Sequence, residues 1–297
     1  MVERTDDWLK TWFADLDPDA VLRPRGIATF APVLPVEYPI QWEYLERLSE
    51  DLMPARQLSG LAVYDPDVVP ELRRGYTNLT PLPRLSLSAP ATPHQILRQV
   101  ALGIDAFVLP FINIVSDAGI AFTFAFPPSP TPPPLREDGT RVLPLGVDLS
   151  SDVYKSSLAP LLDGCTCYAC THHHAAYVHH LLSAREMLGW TLLQTHNHAL
   201  LTSFFAGIRA VLAEGQSSFD EALRRFSAIY DPEFPPGTGP RPRARGYQFK
   251  SDGGEKKLNK PAWGSLGVGR WAEAKKENME EESPEMEMNQ DSSKAHR

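Results

Sequence analysis

All three cysteines of the chain fall within six residues, as Cys165-x-Cys167-x-x-Cys170, and no other feature limits the local fold so strongly. An odd, clustered set of thiols does not build a disulfide framework, and its spacing is that of a metal-binding knuckle. Three thiolates need one more soft or borderline donor to close a tetrahedral zinc site. Four protein ligands leave no open position for an activated water, so such a site is structural. Seven histidines stand close enough in sequence to supply that donor: His172, His173, His174, His179, His180, His196 and His198. Spacing alone does not decide among them. The competing account, buried thiols that share a turn by chance, is disfavoured because the motif uses every cysteine present. The run His172 to His174 reads as an exposed helix start rather than a second metal site.

Upstream, Ile27 to Leu34 reads as a buried strand, and Gln41 to Leu52, with Trp42, Leu45, Leu48 and Leu52 at helical spacing, as the helix that follows it. Leu61 to Tyr64 and Arg84 to Leu87 are short strands. Pro93 opens a helix carrying Ile96, Leu97 and Val100, and Gly103 ends it. Ala106 to Leu109 and Ile120 to Phe126 are further strands. Strands alternating with helices argue for an α/β fold with a mainly parallel sheet or barrel. After Asp148 the chain turns helical: Ala175 to Leu188, then Ala199 to Leu212 with Leu200, Phe204, Ile208 and Val211 on one face, then Phe219 to Tyr230. Gly189 and Gly215 are expected at helix ends.

Residues 127–141, PPSPTPPPLREDGTR, hold six prolines and are expected as an exposed, extended loop interrupting a hairpin-like excursion. Beyond Asp231 comes the Pro/Gly-rich PEFPPGTGPRPRARG, with Tyr247 and Phe249 as docking candidates behind it. From Trp271 to Arg297 eight Asp/Glu face four Lys/Arg, which fits a solvated tail. The expected division is 1–150 for the strand–helix part with its proline-rich loop, 151–230 for a zinc-binding helical subdomain, and 231–297 for a mostly disordered linker and acidic tail. That tail carries about half of the net charge of -8, so the body is only mildly acidic and does not exclude a nucleic-acid partner. No stretch approaches the roughly 18 apolar residues of a transmembrane segment. Met1 to Lys10 contains Glu3, Asp6 and Asp7 and lacks the pattern of a secretory signal. A soluble intracellular protein is expected.

The stretch Cys165 to Arg209, CTCYACTHHHAAYVHHLLSAREMLGWTLLQTHNHALLTSFFAGIR, resembles the zinc segment of the tRNA-guanine transglycosylases. That family pattern is C-x-C-x-x-C, a tyrosine-led helix with H-L, then H-N. It is matched here by Tyr177, His180, Leu181, Glu186, the pair His196-Asn197, and Ile208-Arg209. The resemblance selects His196 as fourth ligand, giving Cys165, Cys167, Cys170 and His196 around one structural Zn2+. A second stretch, Pro93 to Phe107 (PHQILRQVALGIDAF), is similar to the family segment that leads into the strand carrying the catalytic nucleophile. In catalytic members an aspartate follows that phenylalanine and attacks the ribose anomeric carbon. Here the position is Val108, which has no lone pair to offer. Downstream, Pro110 to Gly119 (PFINIVSDAG) lacks both arginines of the family's P-T-R-x-x-R-x-G.

The resemblance implies a TIM-type (β/α)8 barrel with an inserted zinc-binding helical subdomain. The strands found before the zinc segment number about half of those required, so the barrel is expected to be incomplete at its N-terminus. Loss of the aspartate implies no catalytic residue in this chain and the role of accessory subunit. Its partner would be a catalytic subunit that exchanges guanine for queuine at the wobble position of tRNA, with tRNA held through the heterodimer. The expected location is the cytoplasm or, peripherally, the mitochondrial outer membrane. Tyr177, Trp190 and Phe204 are candidate anchors at the subunit interface. Two other classes compete: a self-sufficient base-exchange enzyme using Asp105 or Asp117, and a zinc-stabilised interaction module no longer acting on tRNA. Asp105 reads as structural, since on a continuous strand it faces away from Val108. Arg241, Arg243, Arg245 and Lys250 read as a solvated basic linker, and Arg185, Arg209, Arg224 and Arg225 as helix surface or a phosphate or partner contact.

Overall fold

Short aliphatic runs separated by amphipathic helices build the first half of the chain one strand–helix unit at a time. The computed structural model describes residues 1–16, 21–22, 24–52, 58–129 and 141–242. Most of the proline-rich loop, the acidic tail, and Arg243, Arg245, Tyr247, Phe249 and Lys250 lie outside the described residues. In order come α1 (Val2–Asp15), β1 (Phe30–Val33), α2 (Tyr38–Arg47), β2 (Gly60–Val63), α3 (Val69–Gly75), β3 (Arg84–Ser86), α4 (Pro93–Leu102), β4 (Ala106–Phe107) and α5 (Phe111–Asp117). The strands form one parallel sheet in the order β1-β2-β3-β4, with Ala31 opposite Leu61, Ala62 opposite Leu85 and Ser86 opposite Phe107. Consecutive order is what successive crossovers of one hand produce. Among the described residues the ladder spans four strands and stays open, so the fold is mixed α/β with a parallel sheet and no closed barrel.

Local chemistry sets these boundaries. α4 starts where the Thr92 hydroxyl accepts the Gln95 amide, has Pro93 in its first turn, and stops at Gly103 in the left-handed region (φ 103°). On α2 the buried side is Gln41, Tyr44 and Leu45, continuing to Leu48, while Trp42 stays 45% exposed. α1 was not foreseen; it is mostly polar and buries only Leu9.

The second half begins with β5 (Ile120–Phe122) and β6 (Gly146–Asp148), antiparallel with Phe122 opposite Gly146, as the hairpin-like excursion requires. Four helices follow: α6 (Tyr168–His172), α7 (Ala175–Ser183), α8 (Met187–Glu214) and α9 (Gln216–Ile229). Gly215 caps α8 as expected, but Gly189 does not end a helix. The chain turns earlier, at Arg185, which takes a positive φ of 59°. Gly189 lies in the first turn of α8, where a Cβ would come within 3.1 Å of Leu181 and 3.2 Å of Leu182 on α7. Its lack of a side chain therefore serves a close helix–helix approach rather than a stop.

α8 is 28 residues long because it serves two cores. Trp190, Leu192 and Leu193 pack with Leu149, Val178 and Leu182, whereas Leu200, Leu201, Phe204, Ile208 and Val211 pack with Phe122, Phe124, Phe219 and Phe226. Trp190 and Phe204 are only 3% and 1% exposed. These two cannot anchor a partner; their aromatic surface is spent on the core, and only Tyr177 of the three anchor candidates reaches the surface. A third core joins the sheet to α1, α2 and α3 through Val33, Leu45, Leu61, Val63 and Leu72.

Gly207 gives the fold a direct test. A Cβ there would overlap the carbonyl oxygen of Phe126. Glycine to alanine inside a helix ordinarily stabilises by about 0.5–1 kcal/mol, but here the added methyl forces α8 off the Phe126 backbone. Gly207→Ala is expected to lower the urea unfolding free energy by about 1–3 kcal/mol, the range of overpacked cores; a stabilised variant would contradict this packing.

Candidate metal centre

The four residues that the family resemblance selected meet in space. Cys165 and Cys167 lie on the loop before α6, Cys170 within it, and His196 in the middle of α8. Their donor atoms all lie within 4.8 Å of one another. The Cys167 sulfur also accepts the Cys170 backbone N–H at 3.4 Å, capping α6 and drawing the two thiols together. His196 Nδ1 stands 3.6, 3.6 and 3.3 Å from the sulfurs of Cys165, Cys167 and Cys170. For a tetrahedral ion with metal–sulfur and metal–nitrogen bonds of about 2.3 and 2.0–2.1 Å, sulfur and nitrogen are about 3.6 Å apart. The cluster could hold one metal ion with little movement.

The tautomer of His196 is fixed by its other nitrogen. Nε2 lies 2.9 Å from the carbonyl oxygen of Phe122, an acceptor only, so Nε2 carries the proton and donates it. In the neutral ring Nδ1 is then a bare lone pair facing the thiols, the arrangement that second-shell carbonyls impose on metal-bound histidines. Burial lowers the pKa of His196, which favours that neutral ring. Next to it, buried Asn197 accepts the Phe122 N–H at 2.8 Å and donates to the Ile120 carbonyl at 3.0 Å and the Ser116 hydroxyl at 2.9 Å. Phe122 and Ser116 were not singled out by sequence reasoning as part of the site, and Asn197 only as the neighbour of His196 in the family pattern. The one available signal was the polar pair His196-Asn197 inside an apolar helix.

The other six candidate histidines are elsewhere among the described residues. His179 is buried and donates from Nδ1 to the Leu149 carbonyl at 2.8 Å, and His174 caps α7 by accepting the Tyr177 N–H at 3.1 Å. His172 and His173 stack on Tyr168 and Tyr177, while His180 and His198 are exposed.

Val108 follows β4 directly and is 51% exposed. Asp105 is committed elsewhere: its carboxylate accepts the Arg84 backbone N–H at 2.9 Å and pairs with the guanidinium at 3.0 Å, holding the start of β3 to β4. Asp117 ends α5, two turns of helix beyond the strand exit, and burial raises its pKa.

Burial pushes the Cys170 thiol up to about 12, with the charges of Cys167 and Cys165 adding to the effect, and Cys165 is likewise raised by burial first. In the metal-free chain both thiols are therefore favoured protonated. A group held above its unfolded value of about 8.5 contributes stability that is complete below that pH and is lost as the pH climbs toward the folded value. The urea midpoint of metal-free chain is expected to fall between pH 8 and 10, less so in Cys170→Ser; a midpoint flat across that range would refute the assignment.

The family model described as "Queuine tRNA-ribosyltransferase" matches residues 1–232. A protein named queuine tRNA-ribosyltransferase accessory subunit 2 from Schizosaccharomyces pombe is 42% identical over 189 residues, 64% of this chain and 41% of that protein. Proteins of the same name from Xenopus laevis and Homo sapiens are 33% identical over 157 residues and 32% over 152. These cover 45% and 44% of this chain and 38% and 36% of the relatives. The chain thus spans about two fifths of the length of the curated relatives it matches.

Proposed function

Because this chain belongs to the queuine tRNA-ribosyltransferase family, we propose that it acts as a non-catalytic accessory component of that heterodimeric enzyme. Its partner is a catalytic subunit that exchanges guanine for queuine at the wobble position of tRNAs with GUN anticodons. The observation that carries the proposal is Val108. The side chain stands half-exposed at the exit of β4, where the resemblance of Pro93 to Phe107 to the family segment would put the nucleophilic aspartate of catalytic members, and an isopropyl group cannot form the covalent tRNA intermediate. Asp105, the nearest alternative, is engaged with Arg84. The names of the relatives point the same way.

The four parallel strands and their helices fit half of a TIM-type (β/α)8 barrel. The Cys3His cluster fits Zn2+ in its donor set and its sulfur–nitrogen spacing. With four protein donors the ion is structural and joins α6 to α8. The zinc side also supports a partner surface, for a row of rings runs along α6 and α7: Tyr168 to His172 at 4.4 Å, Tyr168 to His173 at 5.7 Å, and His173 to Tyr177 at 5.0 Å. Aromatic anchors of this kind dominate interface energetics. No described helix is long and apolar enough to cross a membrane; we assign the complex to the cytoplasm or to peripheral attachment at the mitochondrial outer membrane.

Labelled-base incorporation into tRNA tests the role. The chain alone and the catalytic homologue alone are expected to be inactive, and the co-expressed pair active; activity of this chain by itself would overturn the reading of Val108. Metal analysis is expected to find one zinc per chain, lost in His196→Ala. Chelation should sharply lower the melting temperature, since structural zinc binding is worth on the order of 10 kcal/mol at neutral pH. A chain that purifies with full stability and no zinc would remove the metal from the proposal.

A further inference from the structure

His196 and Asn197 are adjacent on α8, both 0% exposed, yet only one belongs to the metal cluster. Neighbouring helical residues diverge by about 100° around the axis, so they seldom address the same target. Here both reach one residue of β5. His196 Nε2 donates to the Phe122 carbonyl and Asn197 Oδ1 accepts the Phe122 N–H, at 2.9 and 2.8 Å. The Asn197 amide has one workable orientation: its nitrogen donates to the Ile120 carbonyl and the Ser116 hydroxyl, and a flipped amide would set oxygen against the Ile120 carbonyl and NH2 against the Phe122 N–H. The side chain is thus a three-point staple joining α8, β5 and the end of α5.

We infer that Asn197 is the positioning residue of the metal centre, resting on the reading that the Cys3His cluster takes zinc. It is not a ligand and acts through His196. By fixing the Phe122 peptide it fixes where the Phe122 carbonyl stands, and that carbonyl sets both the plane and the tautomer of the imidazole. Nδ1 is then delivered at near-equal distance to three sulfurs that come from another part of the chain. Without the staple, β5 can shift along α8, the carbonyl leaves Nε2, and the ring gains a second tautomer that presents N–H, not a lone pair, to the ion.

The test uses the full chain. Zinc affinity is measured by competition with a chromophoric chelator, and cobalt substitution reports coordination through its ligand-field and thiolate charge-transfer bands. Asn197→Ala is expected to weaken zinc binding 10- to 100-fold, the range for loss of an outer-shell partner, and to alter the cobalt ligand-field bands. Ser116→Ala, which removes one of the three bonds, is expected to show a smaller loss and keeps the test available if Asn197→Ala does not fold. Leu45→Ala, a core truncation on α2 in the separate core of the parallel sheet, controls for lost stability and should leave affinity and spectrum unchanged. If the unmodified chain takes up neither zinc nor cobalt, the metal reading itself fails. If it binds both, and the variants at 197 and 116 match the Leu45 control in affinity and spectrum, the positioning role is overturned while the metal reading stands.

Discussion

Both backbone polar groups of Phe122 are occupied by side chains of α8, and the arrangement of the second half of the chain follows from that. β5 is short and has β6 on one side, so Phe122 would otherwise bury an unpaired N–H and C=O, each costing about 1–3 kcal/mol. His196 and Asn197 satisfy them and thereby fix α8 in register with the strand. Once α8 is fixed in the middle, its N-terminal half completes one core and its C-terminal half another. A buried polar contact thus specifies the geometry that the apolar contacts on either side stabilise.

The same contact couples metal and fold. Two of the three thiols, Cys165 and Cys170, are raised by burial and by their neighbour Cys167, so the protein environment alone opposes the thiolates that a metal ion requires. A divalent cation reverses that balance, because its charge favours deprotonated ligands. The donors come from the loop before α6, from α6 itself and from α8, so an ion held by them would join these segments.

Much of this was legible in the sequence, for reasons that differ by element. The four parallel strands were readable because each is a short aliphatic run between helix signals, and α4 because proline and glycine bracket it. α1 was not, since one buried leucine in a polar segment leaves no periodic signal. The cysteine motif announced a metal, but spacing could not choose among seven histidines. What distinguishes His196 is a carbonyl 74 residues upstream, a contact through space that no local pattern encodes. Trp190 and Phe204 were misjudged because a large aromatic suits an interface and a core equally well, and only the path of α8 decides. Gly189 was misjudged because glycine marks close packing as readily as a helix end.

The sheet mouth completes the contrast. In parallel βα folds chemistry is carried where the strands end, and the first residues past β1, β2, β3 and β4 are Leu34, Tyr64, Leu87 and Val108. Leu34 is buried, while the other three are 46%, 38% and 51% exposed. None is a carboxylate, thiol or imidazole. The nearest carboxylate on β4's own path, Asp105, lies at the opposite end of the strand and is held by Arg84. Buried polar side chains meet instead at the cysteine cluster and the Phe122 clamp, through His196, Asn197 and Ser116. Buried hydrogen bonds brace the flank around β5 and α8, while the first residues past β2, β3 and β4 present the side chains of Tyr64, Leu87 and Val108 to solvent.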